Sequence, residues 1–91
     1  MSKFVTQQHQ LLDNIAIALN ASNFEDAQIN FYKLAFNCSI RDLTFVHQTG
    51  YTHSLLSDWI QQMHKAIQSS NAEEALQAQS CVYEMLDVCL Q

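Results

Sequence analysis

Four histidines are the side chains in this sequence best suited to bind a metal or to transfer a proton: His9, His47, His53 and His64. No His-x-x-x-His or Glu-x-x-His pair puts two ligands on one helical face, and no Cys-x-x-Cys motif occurs. His47 and His53 are six residues apart, which places them on different faces of a helix. The spacing therefore predicts that the chain has no metal site.

Three cysteines, Cys38, Cys81 and Cys89, are the next candidates, because a thiolate is both a nucleophile and a metal ligand. Cys81 and Cys89 would lie about 12 Å apart along a helix, which is too far for a disulfide bond. Cys38 and Cys89 fall on apolar stripes and are predicted to be small buried side chains. The odd number of cysteines, and an N-terminus that turns polar at once, predict reduced thiols and a cytoplasmic location.

Catalytic and phosphate-binding patterns are absent from the sequence. Its single glycine, Gly50, excludes a glycine-rich phosphate loop. The acidic pairs Glu25-Asp26 and Glu73-Glu74 stand at predicted helix starts, where the helix dipole accounts for them. No spacing places a general base beside a serine or cysteine nucleophile. The sequence thus predicts a protein that is not an enzyme and that uses no cofactor.

Charge and hydropathy restrict the choice of partner. The formal net charge is −5, and the four basic residues are scattered along the chain, which argues against binding to nucleic acid. The longest apolar run, from Ile15 to Leu19, is far shorter than the ~20 residues of a membrane span, so no membrane partner is expected. Hydrophobic residues make up 48% of the chain and charged residues only 14%, which indicates a folded domain with a weakly charged surface.

The near absence of helix-breaking residues predicts an all-α fold. There is no proline and only one glycine in 91 residues. A first helix is predicted from about Phe4 to Ala21, and a second from about Phe24 to Asn37 or Cys38. Asn23 and Asn71 are predicted N-caps, each with an acidic residue three positions later.

Two interpretations compete for the middle of the chain. Ser39-Ile40-Arg41-Asp42 has the pattern of a new helix start. From there, either one helix continues from Ile40 to Gln68 with Gly50 inside it, or Gly50 ends a short helix. The predicted fold is therefore a small four-helix bundle, or a five-helix bundle if Gly50 breaks the third helix. It is made of two αα-hairpins in a single domain over residues 1–91.

A weak internal repeat supports the two hairpins. The stretch from Leu19 to Ala27 resembles the stretch from Ile67 to Ala75, at an offset of 48 residues. Upstream at the same offset, Leu11 corresponds to Trp59, Ile15 to Met63 and Ala18 to Ala66. Each copy reads as a helix, a short Ser-Asn link and an acidic start of the next helix.

The second helix has more apolar residues than one face requires. One stripe consists of Phe24, Ala27, Phe31, Leu34 and Cys38, and a second stripe of Ile29, Tyr32, Phe36 and Ile40. We expect the second stripe to contact another protein, most simply the same helix of a second copy in a homodimer, or else to be covered by the middle segment of the same chain. The predicted function is a small non-catalytic interaction or regulatory module of the adaptor, chaperone-like or immunity type.

An alternative function is binding of a small apolar ligand or a metal between the helices. Its candidate residues are Tyr51, His53, Trp59 and Met63. A ligand-binding bundle should enclose a cavity, whereas an interaction module should expose an apolar patch.

Overall fold

Four α-helices make up the described part of the chain: α1 (Lys3–Asn20), α2 (Phe24–Phe45), α3 (Gly50–Gln68) and α4 (Ala72–Cys89). The structure is a computed structural model that describes the backbone of residues 3–45 and 50–89 and the side chains of residues 3–38 and 56–87. No strand occurs in these ranges. The prediction of a small all-α four-helix bundle is confirmed.

Each helix runs antiparallel to its two neighbours. α1 packs on α2 and α4, and α3 packs on α4 and α2. Contacts between Gln8 and Asn37, and between His9 and Tyr83, show that α2 and α4 both run opposite to α1. The radius of gyration is 12.3 Å, close to the ~12 Å of a compact domain of this length. The helices therefore surround one core in an up-down-up-down order.

The core takes one stripe from every helix, as the three- and four-residue spacing predicts. Its largest fully buried apolar side chains come from all four helices: Val5, Leu12, Ile15, Leu19, Leu34, Met63, Ile67, Val82 and Leu86. Ala18, Ala27, Ala66, Ala75 and Ala78 are also buried. These small residues allow neighbouring helices to approach closely, because helix separation depends on the side chains at the contact.

The two hairpins turn through the same type of link. After α1, Asn23 N–H donates to Ala18 O at 2.8 Å and Ser22 N–H donates to Leu19 O at 3.1 Å. After α3, Asn71 N–H donates to Ala66 O at 2.9 Å and Ser70 N–H donates to Ile67 O at 3.1 Å. This pair of bonds defines the Schellman motif, in which one residue adopts a left-handed conformation. Here that residue is a serine, with φ of 56° at both Ser22 and Ser70.

The residue after each left-handed serine also caps the next helix. Asn23 Oδ1 accepts a hydrogen bond from Asp26 N–H at 3.1 Å. Asn71 Oδ1 accepts one from Glu74 N–H at 3.2 Å, and Asn71 Nδ2 donates to Glu74 Oε2 at 3.2 Å. The two predicted N-caps are present as the sequence indicated, and one asparagine both closes one helix and opens the next.

The predicted end of the second helix is wrong. α2 continues through Ser39 and the expected helix start beyond it to Phe45. A serine inside a helix costs only a few tenths of a kcal/mol, and no glycine or proline lies between Phe24 and Phe45 to stop the helix. Cys38, in the last turn predicted for this helix, is buried in the core and extends the buried stripe toward the end of α2.

The interpretation of one continuous helix from Ile40 to Gln68 is also wrong, because α2 and α3 lie side by side. The ring of His64 stacks on that of Phe31, with 4.8 Å between the ring centres. In one straight helix these residues would be about 50 Å apart at 1.5 Å per residue. α3 begins at Gly50, and residues 46–49 lie outside the described residues.

The 48-residue repeat is present in the fold. The offset maps the whole of α1 onto α3 and the first eighteen residues of α2 onto α4. Buried positions correspond: Ile15 with Met63, Ala27 with Ala75, and Leu34 with Val82. The hairpins therefore place equivalent residues at equivalent depths, and each serves as a reference for the other.

Glycine at either left-handed serine should stabilise the fold. Ser22→Gly and Ser70→Gly remove a conformational penalty of ~1–2 kcal/mol, partly offset by the greater entropy of glycine in the unfolded chain. We expect each to raise the free energy of unfolding by about 0.5–1 kcal/mol in urea titrations.

Ala21→Gly is the matched control for this prediction. Ala21 precedes Ser22 in the link but has no positive φ, so glycine there should lower stability. Equal effects at positions 21 and 22 would contradict the account of the link.

Candidate functional site

Three large apolar side chains of α2 are exposed: Ile29 (48%), Tyr32 (52%) and Phe36 (66%). Together these three residues form the outer α2 face. They belong to the second apolar stripe that the sequence indicated. The fourth residue of that stripe, Ile40, has a side chain outside the described residues. The described residues leave this face open to solvent, although apolar stripes of small bundles are normally covered.

The outer α2 face points directly away from the core. At 100° per residue, Ile29 and Phe36 lie nearly opposite Phe31, Leu34 and Cys38, all of which are buried. Tyr32 lies beside them on the side nearer α3. The exposed fractions of the three side chains correspond to roughly 300–400 Å² of surface, similar to the largest apolar patch of a typical monomer.

Tyr32 is held in place although half of it is exposed. Its ring meets His64 edge-on with 5.8 Å between centres, and it meets Phe31 edge-on at 6.1 Å. Its hydroxyl oxygen accepts a hydrogen bond from Gln28 Nε2 at 2.8 Å. Contacts at both ends of the side chain restrict its rotamers, so a partner would lose little side-chain entropy by binding to it.

The second hairpin has polar residues at the positions equivalent to the outer α2 face. The residues of α4 equivalent to the outer α2 face are Gln77, Ser80 and Glu84, all of them exposed. Ile17 of α1, 67% exposed, is matched in α3 by Lys65, which is also exposed. All four exposed large apolar residues of the described chain therefore lie in the first hairpin. The same positions in the second hairpin keep the fold with polar side chains.

An open groove of about 420 Å³ runs between α1 and α2 beside this face. Its lining consists of Gln7, Gln10, Leu11, Asn14, Lys33, Phe36 and Asn37. Phe36 thus borders both the groove and the outer α2 face. Asn37 Nδ2 donates to Gln8 Oε1 at 3.2 Å and ties the floor of the groove to α1. The groove offers amide groups, two apolar side chains and one ammonium group.

A polar cluster of His9, Tyr83 and Asp87 joins α1 to α4. Nε2 of the buried His9 lies 3.3 Å from Tyr83 O and 3.2 Å from Asp87 Oδ1, and its ring stacks on Tyr83 with 3.8 Å between centres. Asp87 Oδ1 is outside hydrogen-bonding geometry although it is close enough for an ion pair. The cluster fixes the register of α1 against α4.

A buried amide supports the same interface. Gln79 Nε2, on α4, donates to Leu12 O at 2.9 Å. Such hydrogen bonds are expected for polar groups in a core, because an unpaired buried polar group is costly.

The residues of the alternative ligand site are only partly described. Met63 is fully buried in the core, and Trp59 is half-buried against it. The side chains of Tyr51 and His53 lie outside the described residues. The groove described above is formed by the other hairpin and includes neither Trp59 nor Met63.

Possible metal ligands and thiols can be placed only where their side chains are described. Among them, no three side chains of His, Cys, Asp or Glu come together as a metal site would require. Cys38 is buried, Cys81 is half-buried, and neither forms a disulfide bond. The side chain of Cys89 lies outside the described residues.

Comparisons with known proteins give no family. No protein-family model matches the chain, and no curated protein or solved structure shows significant similarity to it. Among the described helices, none has both the length and the hydropathy needed to cross a membrane.

The exposed face should contribute little to folding, whereas the opposite face of the same helix should contribute much. At low protein concentration, where association adds little, Phe36→Gln should change the free energy of unfolding by no more than about 0.5 kcal/mol. Leu34→Ala removes a fully buried side chain and should cost about 2–5 kcal/mol. Urea unfolding measures both, and similar losses for the two variants would mean that Phe36 is covered in solution.

Proposed function

We propose that the chain is a small non-catalytic protein-binding module and that the outer α2 face is its binding surface. One observation carries this proposal: the fold places polar residues at the equivalent positions of the second hairpin, yet has Ile29, Tyr32 and Phe36 exposed in the first. Since the fold does not require apolar residues there, their burial in a complex is the explanation that we favour.

The chemistry of the face suits a protein partner. Aromatic side chains are enriched at the energetically dominant positions of protein interfaces. Tyr32 is already ordered by His64, Phe31 and Gln28, which lowers the entropic cost of binding. The weakly charged surrounding surface imposes little desolvation cost on an approaching protein.

The groove between α1 and α2 extends this surface. Within the described part of the chain, Gln7, Gln10 and Asn14 make no side-chain hydrogen bond, and Lys33 makes no ion pair. These polar groups at the edge of an apolar patch have the composition expected of an interface rim, where hydrogen bonds supply specificity.

The most direct test transfers the α4 surface onto α2. The triple variant Ile29→Gln, Tyr32→Ser, Phe36→Glu gives the outer α2 face the residues that stand 48 positions later. We expect a helical, cooperatively folding protein that has lost its association with any partner, as measured by circular dichroism and light scattering. A variant that no longer folds at low concentration would show that these side chains are part of the core.

Site-specific photo-crosslinking tests binding in cells that naturally express the chain. A benzophenone amino acid in place of Phe36 should give a defined covalent adduct with a protein. The same amino acid in place of Glu84, the equivalent exposed position of α4, is the matched control and should give none. If position 36 gives no adduct, or only the diffuse adducts of position 84, the proposed function is wrong.

A further inference from the structure

We infer that the partner of this surface is a second copy of the chain, bound antiparallel across a two-fold axis that passes near Ile29. This inference rests on the proposed function and identifies the occupant of the same surface. In a two-fold interface, if one residue contacts a second residue of the other copy, the same contact forms again with the two copies exchanged. The surface must therefore be complementary to itself. The exposed side of the first hairpin meets this condition in charge, in apolar residues and in size.

The charge pattern of α2 is complementary to itself. Asp26 and Lys33 are both exposed and are seven residues apart, so they lie on the same side of the helix. When two such helices pair antiparallel about the midpoint of this interval, Lys33 of each copy lies level with Asp26 of the other. That midpoint falls beside Ile29. The pairing forms two equivalent ion pairs, and the opposed helix dipoles also favour an antiparallel arrangement.

The exposed apolar residue of α1 lies at the same level. The hydrogen bond between Gln8 and Asn37 sets the antiparallel register of α1 and α2, and this register places Ile17 level with Gln28. A two-fold axis near Ile29 therefore brings Ile17 and Ile29 of both copies to the centre of the interface. This arrangement would bury Ile17, which is exposed in one copy and is not part of the outer α2 face.

A register chosen to overlap only the apolar stripe is less favourable. An axis midway along the outer α2 face, between Tyr32 and Lys33, would put Phe36 against Ile29 of the second copy. It would also place the two Lys33 ammonium groups side by side, with no described carboxylate between them. Like charges at an interface are strongly disfavoured, and this register brings no cation of the described side chains level with Asp26.

The available area is sufficient for a stable dimer. α1 and α2 each exceed 25 Å in length at 1.5 Å per residue, and the molecule measures 37 × 23 × 19 Å. Two layers of paired helices that face each other bury on the order of 800 Å² per copy, which is typical of specific interfaces. The apolar centre and the flanking groove amides then correspond to the core and rim of such an interface.

Charge reversal tests both the partner and the register. Lys33→Glu and Asp26→Lys each replace two attractive contacts with two repulsive ones. Each variant alone should dimerise at least about tenfold more weakly than the natural chain at low ionic strength. An equimolar mixture of the two should form a heterodimer of near-natural affinity. In that heterodimer the introduced glutamate meets the introduced lysine, and the natural Lys33 of one variant meets the natural Asp26 of the other. Both variants should remain folded, since the Asp26 contacts within the fold use its backbone N–H and carbonyl.

Disulfide trapping gives a second readout that does not depend on charge. Ile29→Cys should form a covalent dimer under mild oxidation, because the two copies of position 29 lie next to the axis. Gln77→Cys, at the equivalent exposed position of α4, is the matched control and should form no covalent dimer. The natural chain, with its own cysteines, should form none either. Light scattering of the natural chain should give twice its mass of 10.4 kDa.

Several outcomes would overturn the inference. A natural chain that stays monomeric at high micromolar concentration excludes the second copy as the occupant. The natural chain uses another surface if it dimerises but the mixture of the two charge variants does not restore dimerisation and Ile29→Cys forms no disulfide crosslink. If position 36 forms photo-adducts only with a different protein, the inference of a second copy is refuted and the proposed function stands. If position 36 forms no adduct at all, both are refuted.

Discussion

The three-residue link between paired helices is the constraint on which the arrangement of this bundle depends. Residues 21–23 and 69–71 each reverse the chain with a left-handed serine, and the asparagine that follows is bonded both to the helix behind it and to the helix ahead. Because the link is short, it fixes how far and in what phase the second helix returns along the first. The phase decides which stripe of α2 enters the core, and so it also decides that Ile29, Tyr32 and Phe36 remain outside.

The hairpins could be predicted from the sequence because their signals are local. A cap residue, an acidic first turn and the spacing of apolar residues all lie within a few positions of one another. The end of α2 could not be predicted in this way, since Ser39 and Asp42 form a cap pattern that the helix continues through. The His9–Asp87 cluster and the groove were also missed. They join residues far apart in the chain, and only the order of the helices around the core brings these residues together.

The internal repeat separates what the fold requires from what it only permits. Most positions that are buried in both hairpins, such as Ala27 and Ala75, are apolar in both. Gln8, Asn30 and Gln79 are the exceptions among the described side chains, and each corresponds to a buried apolar residue of the other hairpin. Some exposed positions differ in polarity: Phe36 corresponds to Glu84, and Ile17 to Lys65. An apolar residue at an exposed position increases the risk of non-specific association, and the second hairpin avoids that risk. The difference between two halves of one fold is therefore stronger evidence for a binding surface than exposure alone, because single exposed apolar residues are common.

If two copies pair through this surface, charge repulsion between them opposes the burial of their apolar side chains. Net charge is −5 per chain, so bringing two copies together adds long-range repulsion that salt screens. The gain from burying Ile17, Ile29 and Phe36 acts only at contact and depends little on salt. A dimer held in this way is reversible, and its population follows the concentration of the chain. The monomer would then expose the outer α2 face, in which Tyr32 is already ordered. Any other protein that binds this face would compete with the second copy for Ile29 and Phe36.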